Sequence, residues 1–513
     1  MRRGRPVRFL VVAPLLILVF AALPARANWV ATGTFLYEDR EQDLSGFTGV
    51  ISDKPVRFAD VEILSNKKVI AKGSTDALGA FSIAVVDSSV RSIQVRVLTT
   101  TGYTSDLFVR VVNGKSTAYA ALSSKISNHD PTVNVNFGTM VVEVGSGGEA
   151  FNIFDQGVYG ADYVKALKGS RPSQLITFRW AIDAGVTVSY TSLGICYLRD
   201  TAGYDDGPIL HEWAHYVMNY YSAVSNPGDV HYLSDCNQDI RLAFDEGRAT
   251  AFGLAVRRHF GMPGSNVYVR TDGASGPGHA LNAYDLETPS EYFCPGDTSE
   301  ASYSRAVWDV GDGPSTTDLT PGVDEDHDRL ALSDVEVWEV YTGPIPLAPN
   351  ISTESFWDGW FDPAVANGYL PEMRDVFGFY RIEFWPDGNE PNNTTAQAPL
   401  ITANGGTWAL TYFYDSDGNG EGEPDVDLFR LEAIGGASYT IQTLGLLSDA
   451  NTFLEMVDTD GTTVLASNDD RALGDPSSQI VWTAPRSDTF YVRSTHAPDY
   501  GIYGSYELQV ASP

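Results

Sequence analysis

The sequence predicts a multidomain protein, with an antiparallel β-sandwich at the N-terminus, an α+β domain in the middle and a second, jelly-roll-like β-sandwich at the C-terminus. Three observations predict it. The chain has 513 residues, 43% of them hydrophobic, enough for three cores at ~150 residues per domain. Short alternating runs bounded by turn residues fill both ends, whereas segments near the centre carry apolar residues at helical spacing. Polar or Pro/Asn-rich stretches, SSKISNHDPTVN and WPDGNEPNNTTAQAPLI, stand between the three regions.

Residues 1–27 carry a basic start (Arg2, Arg3, Arg5, Arg8), an apolar run from Phe9 to Leu23, and Ala25-Arg26-Ala27. This pattern is that of a secretory signal peptide, so the protein is expected to be secreted, periplasmic or held at the cell surface. The apolar run is short of the ~20 residues that span a membrane and contains Pro14, so no transmembrane anchor is expected after cleavage. Cleavage removes five arginines and no acid, which deepens the formal charge from -32 to -37. Nucleic acid is therefore excluded as a partner class. Among Cys196, Cys236 and Cys294 at most one disulfide can form, and spacing leaves the pair open.

Residues 28–125 read as the first sandwich, from runs such as VRFADVEIL, AFSIAVV and SIQVRVL, and 126–140 as a linker. In the central domain, 141–385, GEAFNIFDQGVYGADYVKALK at 148–168 has helical spacing, and ITFRW, VTVSY and GICYL read as strands. Two helices follow, from about Pro208 to Tyr221 with Asp206 as N-cap, and from about Ile240 to Phe260, stopped by Gly261 and Pro263. In 386–513, DVDLFRLEA, ASYTIQTLG, TFLEMVD, TTVLASNDD, QIVWTAP and TFYVRS are evenly spaced strands.

Two resemblances attach to the flanking regions. PVRFADVEIL followed by KGSTDALGAFSIAV resembles the transthyretin-like regulatory sandwich of some carboxypeptidases, which implies a scaffold role. The EPN opening, the DVDLFRL strand, the DTDGTTV turn and the late FYVRS strand resemble the bacterial pre-peptidase C-terminal domain, which implies export in the company of a peptidase.

The chemistry sits in GPILHEWAHYVMNYY. His211 and His215 are four residues apart, so on a helix both rings leave the same face within reach of one ion. Glu212 lies beside that ion and is placed to take a proton from water and pass it to a leaving amine. A catalytic zinc usually has three protein ligands. The metzincin continuation fails, since Met218 and Tyr221 stand where glycine and the third histidine belong. Thirty-one residues beyond His215, LAFDEGRATAFG offers Asp245 and Glu246. Asp245 neighbours Arg241 and Arg248 and reads as part of a solvated charge face. Glu246 shares a side with Leu242, Ala249 and Gly253 and reads as the ligand.

HEWAH followed by DEGRATAFG resembles the gluzincins, the zinc-peptidase clan of thermolysin and the aminopeptidases. The resemblance implies a zincin-like metallopeptidase domain with His211, His215 and Glu246 as ligands of one Zn2+ and Glu212 as general base, acting on protein or peptide. Thermolysin-like enzymes carry an aspartate four residues after the third ligand, where this chain has Thr250, and no GAMEN-like strand is present, so the branch stays unassigned. The clan also supplies a Tyr or His to stabilise the oxyanion. Tyr303 is the first candidate, with His231 and His279 as rivals, while Asp309 is placed to orient a ligand histidine. In zincins the strand before the motif helix often pairs with substrate, a part expected here for residues 193–198.

In YDSDGNGEGEPDVD, Asp415, Asp417, Asn419 and Glu421 copy the opening of a Ca2+ loop, although Val426 stands in place of its closing glutamate. The function expected is a secreted zinc metallopeptidase. The alternative is a non-catalytic exported or surface binding protein around an inactive zincin-like core.

Overall fold

The computed structural model describes residues 28–104, 106–180, 187–228, 230–288, 294–312, 330–348, 350–365, 367–497 and 501–513. The expected signal peptide, 1–27, lies outside them. The protein is built of several open sheets with helices gathered in the middle of the chain.

The long strand Trp29–Asp43 organises the first sheet. It pairs antiparallel with Gly46–Pro55 and with Ala80–Val85 along one side. Along the other it pairs parallel with Val135–Val142. A second sheet runs in the order Lys68–Ser74, Asp60–Ser65, Arg91–Leu98, Ala120–Leu122, with Ile126–His129 also on Arg91–Leu98. Alternation places Phe35, Val61, Ile63, Phe81, Ile83, Val95 and Val97 inside, all buried.

Three expectations are corrected by these strands. Residues 126–140 are not a linker, because they supply one strand and begin another; Ser127, Asn128, Asn136 and Thr139 of these strands are exposed, while His129 is buried against Trp29. The region is also not wholly antiparallel, since Val135–Val142 returns parallel to Trp29–Asp43. Nor does the boundary at 125 separate two sheets: Val109–Val112 leaves the sandwich and pairs parallel with Ile176–Trp180.

The sheet it joins has the order Tyr190–Ser192, Ile195–Leu198, Ile176–Trp180, Val109–Val112, and only the first pairing is antiparallel. Among the described residues there are seven helices, of which the first two pack on this sheet: α1 (Gly148–Lys168), α2 (Asp206–Tyr221), α3 (Ile240–His259), α4 (Glu300–Gly311), α5 (Asp334–Thr342), α6 (Thr353–Phe361) and α7 (Leu370–Phe379). Two glycines let helices approach at backbone distance. A Cβ on Gly160 of α1 would lie 2.4 Å from the Trp213 ring of α2, and one on Gly253 of α3 only 2.8 Å from the Leu210 carbonyl carbon.

The C-terminal region holds a five-stranded sheet ordered Leu400–Ile401, Val426–Ala433, Asp488–His496, Thr452–Val457, Val464–Asn468, and a four-stranded one ordered Thr407–Thr411, Ser505–Ala511, Ser438–Leu447, Gln479–Thr483. Their inner faces share a separate core around Phe429, Ile441, Leu454, Phe490 and Leu508. Tyr503 and Phe413 instead join the central core, against Phe384.

Candidate metal centre

α2 starts where Asp205, fully buried, accepts the Thr271 backbone N–H at 3.0 Å and hydroxyl at 2.7 Å and the Gln42 amide at 3.0 Å, and pairs with Arg199. Asp205 rather than Asp206 precedes the first turn; the Asp206 carboxylate accepts from the Asn152 amide of α1 at 2.9 Å. This anchorage fixes the rotation of α2 and turns His211 and His215 toward α3, which starts on its own cap, Asp239 accepting the Arg241 N–H at 2.9 Å.

His211 Nε2 and His215 Nε2 lie 3.2 Å apart, and each lies 3.1 Å from Glu246 Oε2. Donors ~2.0–2.1 Å from one tetrahedral ion stand ~3.3 Å from one another, so the spacing fits zinc, as does the two-nitrogen, one-oxygen set. The other ring nitrogens are also held: His211 Nδ1 is 2.9 Å from Thr250 Oγ1, and His215 Nδ1 is 3.3 Å from Asp245 Oδ2. Such outer contacts set ring orientation and tautomer.

Asp245 is thus not on a solvated face. It is buried, and its other oxygen receives the wholly buried Arg248 guanidinium at 2.5 Å. α3 is enclosed by α2 and α4 and has almost no exposed side, so the periodicity argument that assigned Asp245 to water had no water to assign it to. Arg241, its other expected partner, pairs with Asp239.

Burial pushes the Glu246 carboxyl up, but His215, His211 and His231 around it hold it well below the usual carboxylate range. Conversely, burial pulls His215 down, and Glu246 with Asp245 brings it well above the usual imidazole value. Glu212, also buried, is pushed up by burial against the pull of His211 and His215. Thr191, on the strand Tyr190–Ser192, has its hydroxyl 2.8 Å from the Glu212 backbone carbonyl and 2.9 Å from Glu212 Oε2. A carboxylate with an elevated pKa and one fixed hydrogen bond suits proton transfer.

The structure separates the candidates for an oxyanion-stabilising group. Tyr303 lies in the aromatic core, fully buried beside Phe244, with its hydroxyl 2.9 Å from that of Tyr341, so it is not at the centre. His279 is exposed and paired with Asp272. His231 is at the centre, with Nε2 3.4 Å from Glu246 Oε2 and Nδ1 2.8 Å from Glu300 Oε2. Burial draws it down, but Glu300 and Glu246 raise it to about 9. Tyr268, which the sequence reading missed, stands its ring 6.0 Å from that of His211, on the hairpin formed by Val267–Thr271 and Ala280–Asp285. Only an aromatic in an alternating run signalled it.

Asp309 accepts from the Tyr380 hydroxyl at 2.8 Å. All four nitrogens of the ligand histidines are held by other groups, so the expected orienting role passes to Thr250 and Asp245. Residues 193–198 do not offer an edge either, because Ile195–Leu198 is paired on both sides and, among the described residues, the outer strand on that side is Tyr190–Ser192. Cys236 pairs with Cys294, and Cys196 is free and buried.

The expected calcium loop turns its oxygens inward on its own backbone. Asp415 accepts the N–H groups of Gly418 and Gly420 at 2.6 and 3.0 Å, Asp417 that of Asn419 at 3.2 Å, and Asn419 that of Glu421 at 2.7 Å. Asp415, Asp417 and Glu421 do not converge among the described residues, whereas Asp387, Glu390 and Asp427 do.

No family model and no curated protein matches the chain. Among solved structures, the pre-peptidase C-terminal domain of a collagenase from Bacillus anthracis is 17% identical, covering 22% of this chain and 93% of its own, with a TM-score of 0.17. PliG of Aeromonas hydrophila, a periplasmic inhibitor of g-type lysozyme, is 16% identical over 23% of this chain and 95% of its own, also at 0.17.

Proposed function

We propose that this protein is an exported zinc metallopeptidase. The observation that carries the reading is the meeting of His211, His215 and Glu246 at 3.1–3.2 Å with Glu212 alongside. His211, His215 and Glu246 would hold the ion. Lewis acidity toward water and a carbonyl oxygen is the chemistry zinc supplies when bound there. Glu212, steadied by Thr191, takes the proton from the attacking water and returns it to the leaving amine. His231 and Tyr268 stand beside the same centre as donors for charge developing on the carbonyl oxygen.

The substrate in this reading is an extended peptide added to the outer strand Tyr190–Ser192, which Thr191 ties directly to Glu212. Export is supported by the N-terminal pattern of residues 1–27 and by the Cys236–Cys294 disulfide, a bond that persists in oxidising compartments. Among the described residues no helix is long and apolar enough to cross a membrane.

Substituting Glu212→Gln tests the reading. Metal content should stay at one zinc per chain while peptide-library hydrolysis falls by ~10²–10⁴. Undiminished hydrolysis overturns the role of Glu212. Absence of zinc from the wild-type chain overturns the centre, and a zinc-loaded wild-type chain that cleaves nothing favours the non-catalytic binding reading.

A further inference from the structure

Where the C-terminal sheets meet the central helices, the contact surface contains carboxyl groups instead of ion pairs. Glu354 of α6 is 5% exposed and accepts the backbone N–H groups of Ile502 and Tyr503 at 2.9 Å each. One turn on, Asp358 accepts the Tyr503 hydroxyl at 2.9 Å and the Gly422 N–H at 3.2 Å. Asp297, just before α4, is wholly buried, and neither of its side-chain oxygens has a hydrogen-bond partner; its backbone N–H donates to Ser448 Oγ of the C-terminal region at 3.4 Å. Asp449, next to Ser448, accepts from Gly501 at 3.3 Å. Glu354 and Asp449 face one spot: a Cβ on Gly501 would lie 2.6 Å from Glu354 Oε1 and 3.3 Å from Asp449 Oδ2.

Four carboxyls from both sides of one junction thus sit together. Among the described residues, the charged groups acting on Asp297, Glu354 and Asp358 are one another, Asp449 and Glu421, none of them a lysine or arginine. His496, whose Nε2 is 3.1 Å from the Asp449 carbonyl, is pulled down by burial to about 4 and brings no positive charge at neutral pH. Such a cluster is tolerable only while most of its members keep their protons. We propose that this junction is a proton-held latch, docking the C-terminal sandwich on α6 in neutral or acidic medium and releasing it in alkaline medium.

The direction follows from linkage. Burial and neighbouring acids raise Asp297 to about 8, Asp358 to about 7, and Glu354 well above its ordinary value. Docking therefore takes up protons that the separated surfaces would release. Its advantage is full below the ordinary carboxylate range and is lost as pH rises through 7–8 and beyond. The zinc centre plays no part in the latch, which stands or falls apart from the peptidase reading.

The test is small-angle scattering and timed trypsin cleavage of the full chain between pH 5.5 and 9.5, with far-UV circular dichroism alongside. Expected is an expansion and at least a several-fold faster release of the C-terminal fragment at the alkaline end, at constant secondary structure. The variants Asp297→Asn and Glu354→Gln should each move that transition upward by about one pH unit or abolish it. A wild-type profile that is flat over this range overturns the latch, as does a transition that keeps its midpoint in both variants. Should one variant fail to fold, Asp358→Asn supplies the same readout.

Discussion

Thr250 Oγ1 lies 2.9 Å from His211 Nδ1, one turn along α3 from the carboxylate that faces the same imidazole. The hydroxyl holds the imidazole without placing a charge beside it. Replacing Thr250 with Val, similar in shape but without the hydroxyl, should weaken zinc binding by ~10–100-fold in chelator competition. Unchanged affinity would reduce the contact to packing.

Asp245 bridges His215 and the buried Arg248. Asp245→Ala leaves that guanidinium enclosed without a countercharge, against Ser222, the Ala223 carbonyl and the rings of Phe244 and Tyr341. Breaking a buried pair from one side costs about 3–5 kcal/mol, so urea unfolding of the metal-free chain should show a loss of that order. A loss below about 1 kcal/mol would mean that water reaches Arg248.

The chelated protein should have a characteristic pH profile. His215 and His231 carry folded-state values above the ordinary imidazole one, His231 at about 9. Their stabilisation is complete below about 6.5 and fades as pH rises through about 9. Glu246 and Asp245 are displaced downward, so their contribution is present above about 4 and is lost in stronger acid. Thermal melts of the metal-free chain should therefore fall from pH 6.5 toward 9.5 at these groups, and zinc, which displaces protons from imidazole, should flatten that slope. Identical slopes with and without zinc would contradict the assignment of the histidines.

The Cys236–Cys294 bond closes 58 residues and joins the loop carrying His231 to the segment leading into Glu300. Thr298 reinforces the same link, its hydroxyl donating to the Cys236 carbonyl at 2.7 Å. Changing both cysteines to serine should cost about 4 kcal/mol of stability by loop-closure entropy. It should also lower kcat more than KM if His231 acts on the oxyanion. Loss of stability with intact turnover would assign the bond to folding alone.

Gly253 allows α3 to lie against the backbone of α2 beside His211. A methyl group there meets main-chain atoms, which cannot rotate aside as a side chain would. Gly253→Ala should therefore lower both the melting temperature and zinc affinity, costing roughly 1–3 kcal/mol in unfolding. An unaltered melt would show that the helices separate freely.

The metal-binding helices were legible because their signals are local: a four-residue histidine spacing and a stop at Gly261, with the expected cap one residue off, at Asp205 in place of Asp206. Most C-terminal strands were legible for the same reason. What the sequence could not convey was enclosure. Asp245 looks solvent-facing beside two arginines, and only the packing of α2 and α4 on α3 shows that it is inside. Tyr303 lay on the expected helix but faces the wrong side of it, toward Tyr341. The oxygens of 415–421 follow a familiar spacing yet serve their own turn, while Asp387, Glu390 and Asp427 are gathered from forty residues of chain and carry no contiguous pattern. His231 and Glu300 likewise meet across 69 positions.

The pairing of Val109–Val112 with Ile176–Trp180 sutures regions that read as separate modules. A shortened gene product starting after residue 125 would leave Ile176–Trp180 as a raw border, with unpaired amides ready to capture a second copy. Exchange of the first domain between relatives by recombination would have to carry that strand along, or else repair the border it leaves behind.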